Sequence, residues 1–165
     1  MKTAFWSALT VAAVLLTASP ASAQPVSQNI NATVNVNSLA RLDVSGDVVF
    51  PDTDPDLFAT MSAPAITVAA RARVAPSQDL VVTVIAAADF FDPGTSTIPV
   101  AGLSWTATGS AFVAGGAMST STPQAVAAWT GPANQSGTQT YSLPNLWSYA
   151  PGTHSVQLTY TLATP

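Results

Sequence analysis

The chain has 165 residues, of which 48% are hydrophobic and 7% are charged, with a formal net charge of −4 and no cysteine. This composition is too apolar for a disordered protein and fits one ordinary globular domain. Four basic residues give no clustered positive surface for nucleic acid, and the lack of cysteine excludes disulfides, thiol chemistry and Cys/His zinc sites.

The first 23 residues have the pattern of a secretory signal peptide. Lys2 precedes an apolar stretch at 8–18, and Ala21-Ser22-Ala23 supplies the small residues that signal peptidase reads. That stretch is shorter than the roughly 20 residues of a membrane-spanning helix. We therefore expect cleavage before Gln24 and export to the extracellular space, the cell surface or the periplasm. We also expect a mature chain without a transmembrane span that forms a single domain over residues 24–165.

The mature chain is poor in residues that favour exposed helices. It contains no lysine and no glutamate, and three arginines stand against eight aspartates. Threonine, valine, serine and asparagine take the place of the helix formers, and prolines and glycines interrupt the chain at short intervals. This composition predicts an all-β fold.

Alternation of apolar and polar residues then locates the main strands. Residues 29–37 alternate without interruption and place Ile30, Ala32, Val34 and Val36 on one apolar face. Residues 66–74 and 155–162 alternate in the same way. Residues 80–86 are almost continuously apolar, which is typical of a central strand covered on both faces. Further short strands are predicted at 42–44, 48–50, 102–108, 111–118, 124–130 and 138–143.

Glycine-containing pairs between these segments predict turns, among them Ser45-Gly46, Gly115-Gly116, Gly131-Pro132 and Ser136-Gly137. About nine short strands at this spacing indicate an antiparallel β-sandwich with Greek-key connections.

One acidic cluster is a candidate metal site. Asp52, Asp54 and Asp56 alternate along the chain, and short carboxylates of this kind can bind calcium. The EF-hand pattern fails because Leu57 and Ala63 occupy its glycine and glutamate positions. The alternative is a solvated turn, which Asp and Pro favour in their own right. No other cofactor is expected.

The chain offers little for catalysis. His154 is the single histidine, no Gly-x-Ser-x-Gly nucleophile motif occurs, and we expect no enzymatic activity. Aromatic residues concentrate in the C-terminal half and could stack against sugars, although burial in a sandwich core is the alternative. The residues of this candidate glycan platform are Trp105, Trp129, Trp147 and Tyr149.

The C-terminal part carries a family resemblance. Its motifs are the segment 103–109 (LSWTATG), Trp129-Thr130-Gly131, and the segment 147–153 (WSYAPGT) followed by Tyr160-Thr161-Leu162. Over residues 98–162 the chain resembles a group of exported bacterial single-domain β-sandwich proteins. It is more distantly similar to spore-coat-U and fimbrial-subunit domains, which end in a strand introduced by a glycine and carrying a late tyrosine, here Gly152 and Tyr160.

This resemblance implies an immunoglobulin-like or pilin-like sandwich with a structural role at the cell surface. Fimbrial subunits assemble by inserting an alternating N-terminal segment into a neighbour's incomplete sheet. In this chain the inserted side chains would be those of Ile30, Ala32, Val34 and Val36, and the alternative is that residues 29–37 form the first strand of their own domain. The low charge also leaves strand edges without charged residues that oppose edge-to-edge pairing.

The sequence therefore predicts a non-enzymatic, exported structural protein that self-assembles by strand addition, with copies of itself or other surface subunits as partners. The alternative is a secreted carbohydrate-binding module with glycans as partners. Nucleic acid is not expected as a partner.

Overall fold

The computed structural model describes residues 28, 30–93 and 96–164. The expected signal peptide at residues 1–23 lies outside this range. Among the described residues the fold is all-β, with ten strands, one short 3-10 turn and no α-helix. The strands are β1 (Leu39–Ser45), β2 (Thr60–Ser62), β3 (Ile66–Arg73), β4 (Asp79–Ala86), β5 (Phe90–Phe91), β6 (Thr97–Ile98), β7 (Ser104–Thr108), β8 (Gln124–Thr130), β9 (Ala133–Pro144) and β10 (Leu158–Ala163).

The strands form two antiparallel sheets and one small hairpin. In the first sheet, β3 lies between β1 and the long strand β9, β2 continues the line of β3 along β9, and β7 pairs with the opposite edge of β9. In the second sheet, β4 is central between β10 and β8. The hairpin consists of β5 and β6, and Phe91 of β5 also forms an antiparallel bridge with Ser155. One hydrophobic core draws residues from both sheets, so the arrangement is that of a β-sandwich.

Period-two burial explains why the central strands form. In β3 the side chains of Ile66, Val68, Ala70 and Ala72 point into the core, while Arg71 and Arg73 lie on the exposed face. In β8 two consecutive residues, Val126 and Ala127, are both buried, because a register shift opposite β4 inserts an extra residue there.

A connecting segment closes one flank of the sandwich. Residues 111–113 exchange backbone hydrogen bonds with β8, and the N–H and C=O of Gly115 bond to Trp105 on β7. The N–H of Met118 then donates to the carbonyl of Leu103 just before β7. This segment therefore covers the outer edges of β7 and β8, and it was predicted as one strand over 111–118, whereas the structure gives it only isolated bridges.

Three other predictions are corrected. Residues 30–37, the described part of the predicted strand 29–37, belong to no strand, and neither do residues 48–50. The strand predicted at 80–86 is central in its sheet, but its outer face is only half-buried because no further layer covers it. Alternation indicates that residues 30–37 have one apolar face, but it does not indicate a strand with which they pair.

Two predicted turn glycines have a packing role instead. Gly137 lies inside β9, where an added Cβ would meet the carbonyl oxygen of Thr108 at 2.2 Å and the Phe112 ring at 2.6 Å. A Cβ on Gly115 would overlap the Trp105 ring at 2.2 Å. By contrast, Gly46 and Gly131 take positive φ angles of 99° and 80° in their predicted turns, where glycine is favoured.

Candidate functional site

The sandwich has two strand edges without a neighbour on the flank opposite residues 111–118. Within the described part of the chain, β1 pairs only with β3 and β10 pairs only with β4. The N–H and C=O groups on their outer edges are therefore free to pair with a further strand.

Side chains on these two strands are less buried than their neighbours in the same sheets. Leu42 and Val44 of β1 lie opposite the fully buried Ala70 and Val68 of β3 and share their face, yet Val44 is 40% exposed. On β10, Leu158, Tyr160 and Leu162 also face the core and remain only half-buried. The core is thus incompletely covered between β1 and β10.

An open groove of about 600 Å³ occupies this gap. Most of its lining residues have apolar side chains, and Asp47 is the single charged residue among them. The groove is lined by Leu42, Val44, Gly46, Asp47, Val48, Ile66, Phe90, Leu103, Val156, Gln157, Leu158, Thr159 and Tyr160. We refer to it below as the edge groove.

A buried hydrogen-bond chain lies at one side of the edge groove. The Tyr160 hydroxyl donates to Oε1 of the fully buried Gln139 at 2.6 Å and accepts from the Tyr141 hydroxyl at 2.5 Å. Burial raises the pKa of Tyr141 to about 12 and also raises the pKa of Tyr160. Both phenols are therefore neutral and link the two sheets across the core.

The predicted assembly residues lie in a segment that pairs with no strand among the described residues. The exposed fractions of the side chains are 91% for Ile30, 84% for Val34 and 60% for Val36, and Ala32 is also exposed. Beyond this segment, the guanidinium Nε of Arg73 donates to the carbonyl oxygen of Asn37 at 2.9 Å. Such exposed, alternating apolar side chains are unfavourable in water unless another surface covers them.

The acidic cluster does not gather into a metal site. No group of three acidic or histidine side chains within residues 28, 30–93 and 96–164 is placed to hold a metal ion. Oδ1 of Asp54 instead accepts the backbone N–H of Asp56 at 2.9 Å, and Oδ1 of Asp56 accepts the indole N–H of Trp147 at 3.0 Å. The cluster forms a hydrogen-bonded turn, and the calcium prediction for Asp52, Asp54 and Asp56 gains no geometric support.

The aromatic residues of the candidate glycan platform are dispersed. Trp105 is in the core, and its indole N–H donates to the carbonyl of Val113. Trp129 is half-buried against the core, whereas Trp147 is 72% exposed. Of these four residues the structure brings together only Trp147 and Tyr149, in a cleft that His154 also lines.

The groove residues were not identified from sequence as a site. Alternation located β10, and residues 42–44 were recognised as strand, but pairing between distant segments decides which edge stays open. No single-sequence pattern reports this pairing. No helix among the described residues is long and apolar enough to span a bilayer.

Comparison with known proteins finds no match for the chain, either among protein-family models or among curated proteins.

Proposed function

We propose that this protein is a non-enzymatic, exported structural subunit that assembles by strand addition. The segment 30–36 of one copy enters the edge groove between β1 and β10 of another copy. The observation that carries this proposal is the coexistence, among the described residues, of two unpaired strand edges beside an open groove and an alternating segment that belongs to no sheet.

The inserting segment and the two edge strands have similar lengths. Segment 30–36 has seven residues, β1 has seven and β10 has six, so an inserted strand would match the length of either edge strand. At about 3.3 Å per residue such a strand extends for roughly 23 Å. Its backbone gains hydrogen bonds from a free edge while Ile30, Ala32, Val34 and Val36 cover the exposed core.

The chemistry of the two parts also agrees. The segment carries no charged side chain, so insertion requires no ion to be removed from water. Asparagine and threonine alternate with its apolar residues and would face outward. The resemblance of the chain to fimbrial-subunit and spore-coat-U domains, and the signal-peptide pattern of residues 1–23, support the same immunoglobulin-like, exported assembly.

Two complementary variants test the proposal. Val34→Asp removes an inserting side chain and leaves the edge groove intact, whereas Val44→Glu places a charge in the groove wall and leaves the segment intact. Val44 is already partly exposed, so Val44→Glu is expected to fold. Size-exclusion chromatography with light scattering, and electron microscopy, measure assembly of each purified exported protein.

We expect the unmodified protein to form linear oligomers and each variant alone to be monomeric. A mixture of the two variants forms a one-to-one dimer, because Val44→Glu still donates its segment and Val34→Asp still offers its groove. Asn35→Asp is the matched control, since it adds the same charge on the outward face and leaves assembly intact. An unmodified protein that is monomeric at every concentration, or variants that remain monomeric when mixed, would contradict the proposal.

A further inference from the structure

A second concave site adjoins the edge groove, with which it shares Phe90, and lies at the loops that follow β1 and β9. It is a cleft of about 640 Å³, within the usual size range of small-ligand sites. Its aromatic lining includes Phe50, Trp147 and Tyr149, and its polar lining includes Asp52 and Asn145. We refer to it as the aromatic cleft.

The two loops that form the cleft are joined by side-chain hydrogen bonds. Nδ2 of the buried Asn145 donates to the carbonyl oxygen of Thr53 at 2.9 Å and to that of Phe58 at 3.0 Å. The indole N–H of Trp147 donates to Asp56 at 3.0 Å. The cleft is therefore formed by the fold itself, before any ligand arrives.

The Trp147 ring is held in position and yet is largely exposed to solvent. Its ring is held at the indole nitrogen by Asp56, yet the side chain is 72% exposed. A large apolar ring that is tethered at one edge and left open to solvent offers a flat surface for stacking, at little cost in side-chain entropy. The neighbouring Tyr149 is partly covered, and burial raises its pKa, so its phenol is neutral.

The charges around the cleft limit the class of ligand. No arginine or lysine lines the cleft, and Asp52 lies in its wall with Asp54 and Asp56 in the same loop. Anionic ligands are disfavoured by this field. A neutral polyhydroxyl ligand suits it, because an apolar sugar face stacks on an aromatic ring while a carboxylate accepts hydroxyl hydrogen bonds.

We propose that the aromatic cleft is a binding site for a neutral saccharide, with Trp147 as the stacking surface and Asp52 and Tyr149 as polar contacts. The three proposed contact residues do not line the edge groove, so binding at this site does not depend on assembly. An assembled subunit would carry one such site per copy.

The test uses the full exported protein on a printed array of neutral and acidic glycans, followed by calorimetry with the strongest neutral binder. Trp147→Ala is expected to weaken binding at least about tenfold, from the lost ring contact. Phe91→Ala is the matched control, since it removes an exposed aromatic ring that does not line the cleft and is expected to leave binding unchanged. Val34→Asp is also expected to bind the glycan normally, which separates this proposal from strand addition.

Tetramethylammonium serves as a competing probe, because an aromatic cleft with a carboxylate can also attract an organic cation. Binding of the cation that weakens with added salt, without any binding of neutral glycans, would overturn the proposal. An array on which no neutral glycan depends on Trp147 would overturn it as well.

Discussion

Gly137 and Gly116 differ in the space that is available for an added Cβ atom. At Gly137 the Phe112 ring and the Thr108 carbonyl occupy the space of a Cβ, whereas at Gly116 the nearest atom is the Cβ of Ser104, at 4.0 Å. Alanine substitutions at the two positions therefore separate the effect of packing from the effect of lost chain flexibility.

We expect Gly137→Ala to lower the free energy of unfolding by about 1–3 kcal/mol, because the added methyl forces Phe112 or β9 to move. Gly116→Ala is the control and is expected to change it by less than about 0.5 kcal/mol. Urea denaturation of the monomeric Val34→Asp background measures both. Equal effects at the two positions would contradict the packing role of Gly137.

The tyrosine pair predicts how stability depends on alkaline pH. Burial raises the pKa of Tyr141 to about 12, whereas an unfolded chain releases the phenol proton near pH 10. The unfolded state thus loses protons first, so the free energy of unfolding is unaffected below about pH 10 and falls as the pH rises towards about 12. In Tyr141→Phe this fall should be smaller, as measured by urea denaturation between about pH 8 and about pH 11. An unchanged pH dependence would contradict the buried, neutral state of Tyr141.

Removal of one hydroxyl should also be costly at neutral pH. Tyr160→Phe leaves the buried Gln139 side chain without its partner at Oε1, and its Nε2 already has no partner among the described residues. We expect a loss of about 1–3 kcal/mol in the free energy of unfolding. Tyr149→Phe is the comparison, because Tyr149 is less buried. Equal losses in the two variants would argue against the hydrogen-bond chain.

Among the structural elements, the loop of residues 51–58 is tied by Asn145 and Trp147 to the segment that follows β9, and Asn145 makes the buried contacts. Asn145→Ala removes the donor to Thr53 and Phe58 and is expected to lower the free energy of unfolding by about 1–3 kcal/mol. Limited proteolysis should then cut within 52–58 faster than in the unmodified protein. Asn134→Ala, on the exposed face of β9, is the control and should leave the cleavage rate unchanged. Unaltered cleavage in Asn145→Ala would contradict this anchoring role.

The strands differ in how far the sequence alone could predict them. β3 and β8 were predicted within one residue because each has a clear alternation or an apolar run bounded by turn signals. The short strands β2, β5 and β6 were missed, since two or three residues carry no readable period. Contacts with distant parts of the chain determine whether such short segments form strands.

The candidate site was harder to predict than the elements. Residues 30–36 were recognised from their alternation, but the edge groove depends on which distant strands pair and which do not. The same limit explains Gly137, which sequence reasoning placed in a turn because Ser-Gly is a common turn pair, while the fold uses it beneath Phe112. Local signals predict the longer paired strands, but they also predict strands at 29–37, 48–50 and 111–118 where the described residues form none, and they do not show which strands become neighbours.

At the scale of the whole molecule, strand addition predicts a change in hydrogen exchange. In monomeric Val34→Asp, amides of β1 and β10 should exchange faster than those of β3, β4 and β9, because their outer edges lack a neighbour. A synthetic peptide of residues 28–38 should slow exchange in both edge strands. The same peptide with Asp at position 34 is the control. Protection confined to β8, or no protection at all, would contradict insertion at the edge groove.

The segment at residues 111–118 has a consequence for the shape of any assembly. In the proposed assembly this segment covers the outer edges of β7 and β8, so each copy would receive a strand at the edge groove and donate residues 30–36, and successive copies would join head to tail. The product would be an unbranched fibre with two different ends. One end would have an unoccupied edge groove, and the other would have a segment 30–36 that is not inserted. The fibre would stop growing when a molecule that has no inserting segment of its own occupies the open edge groove.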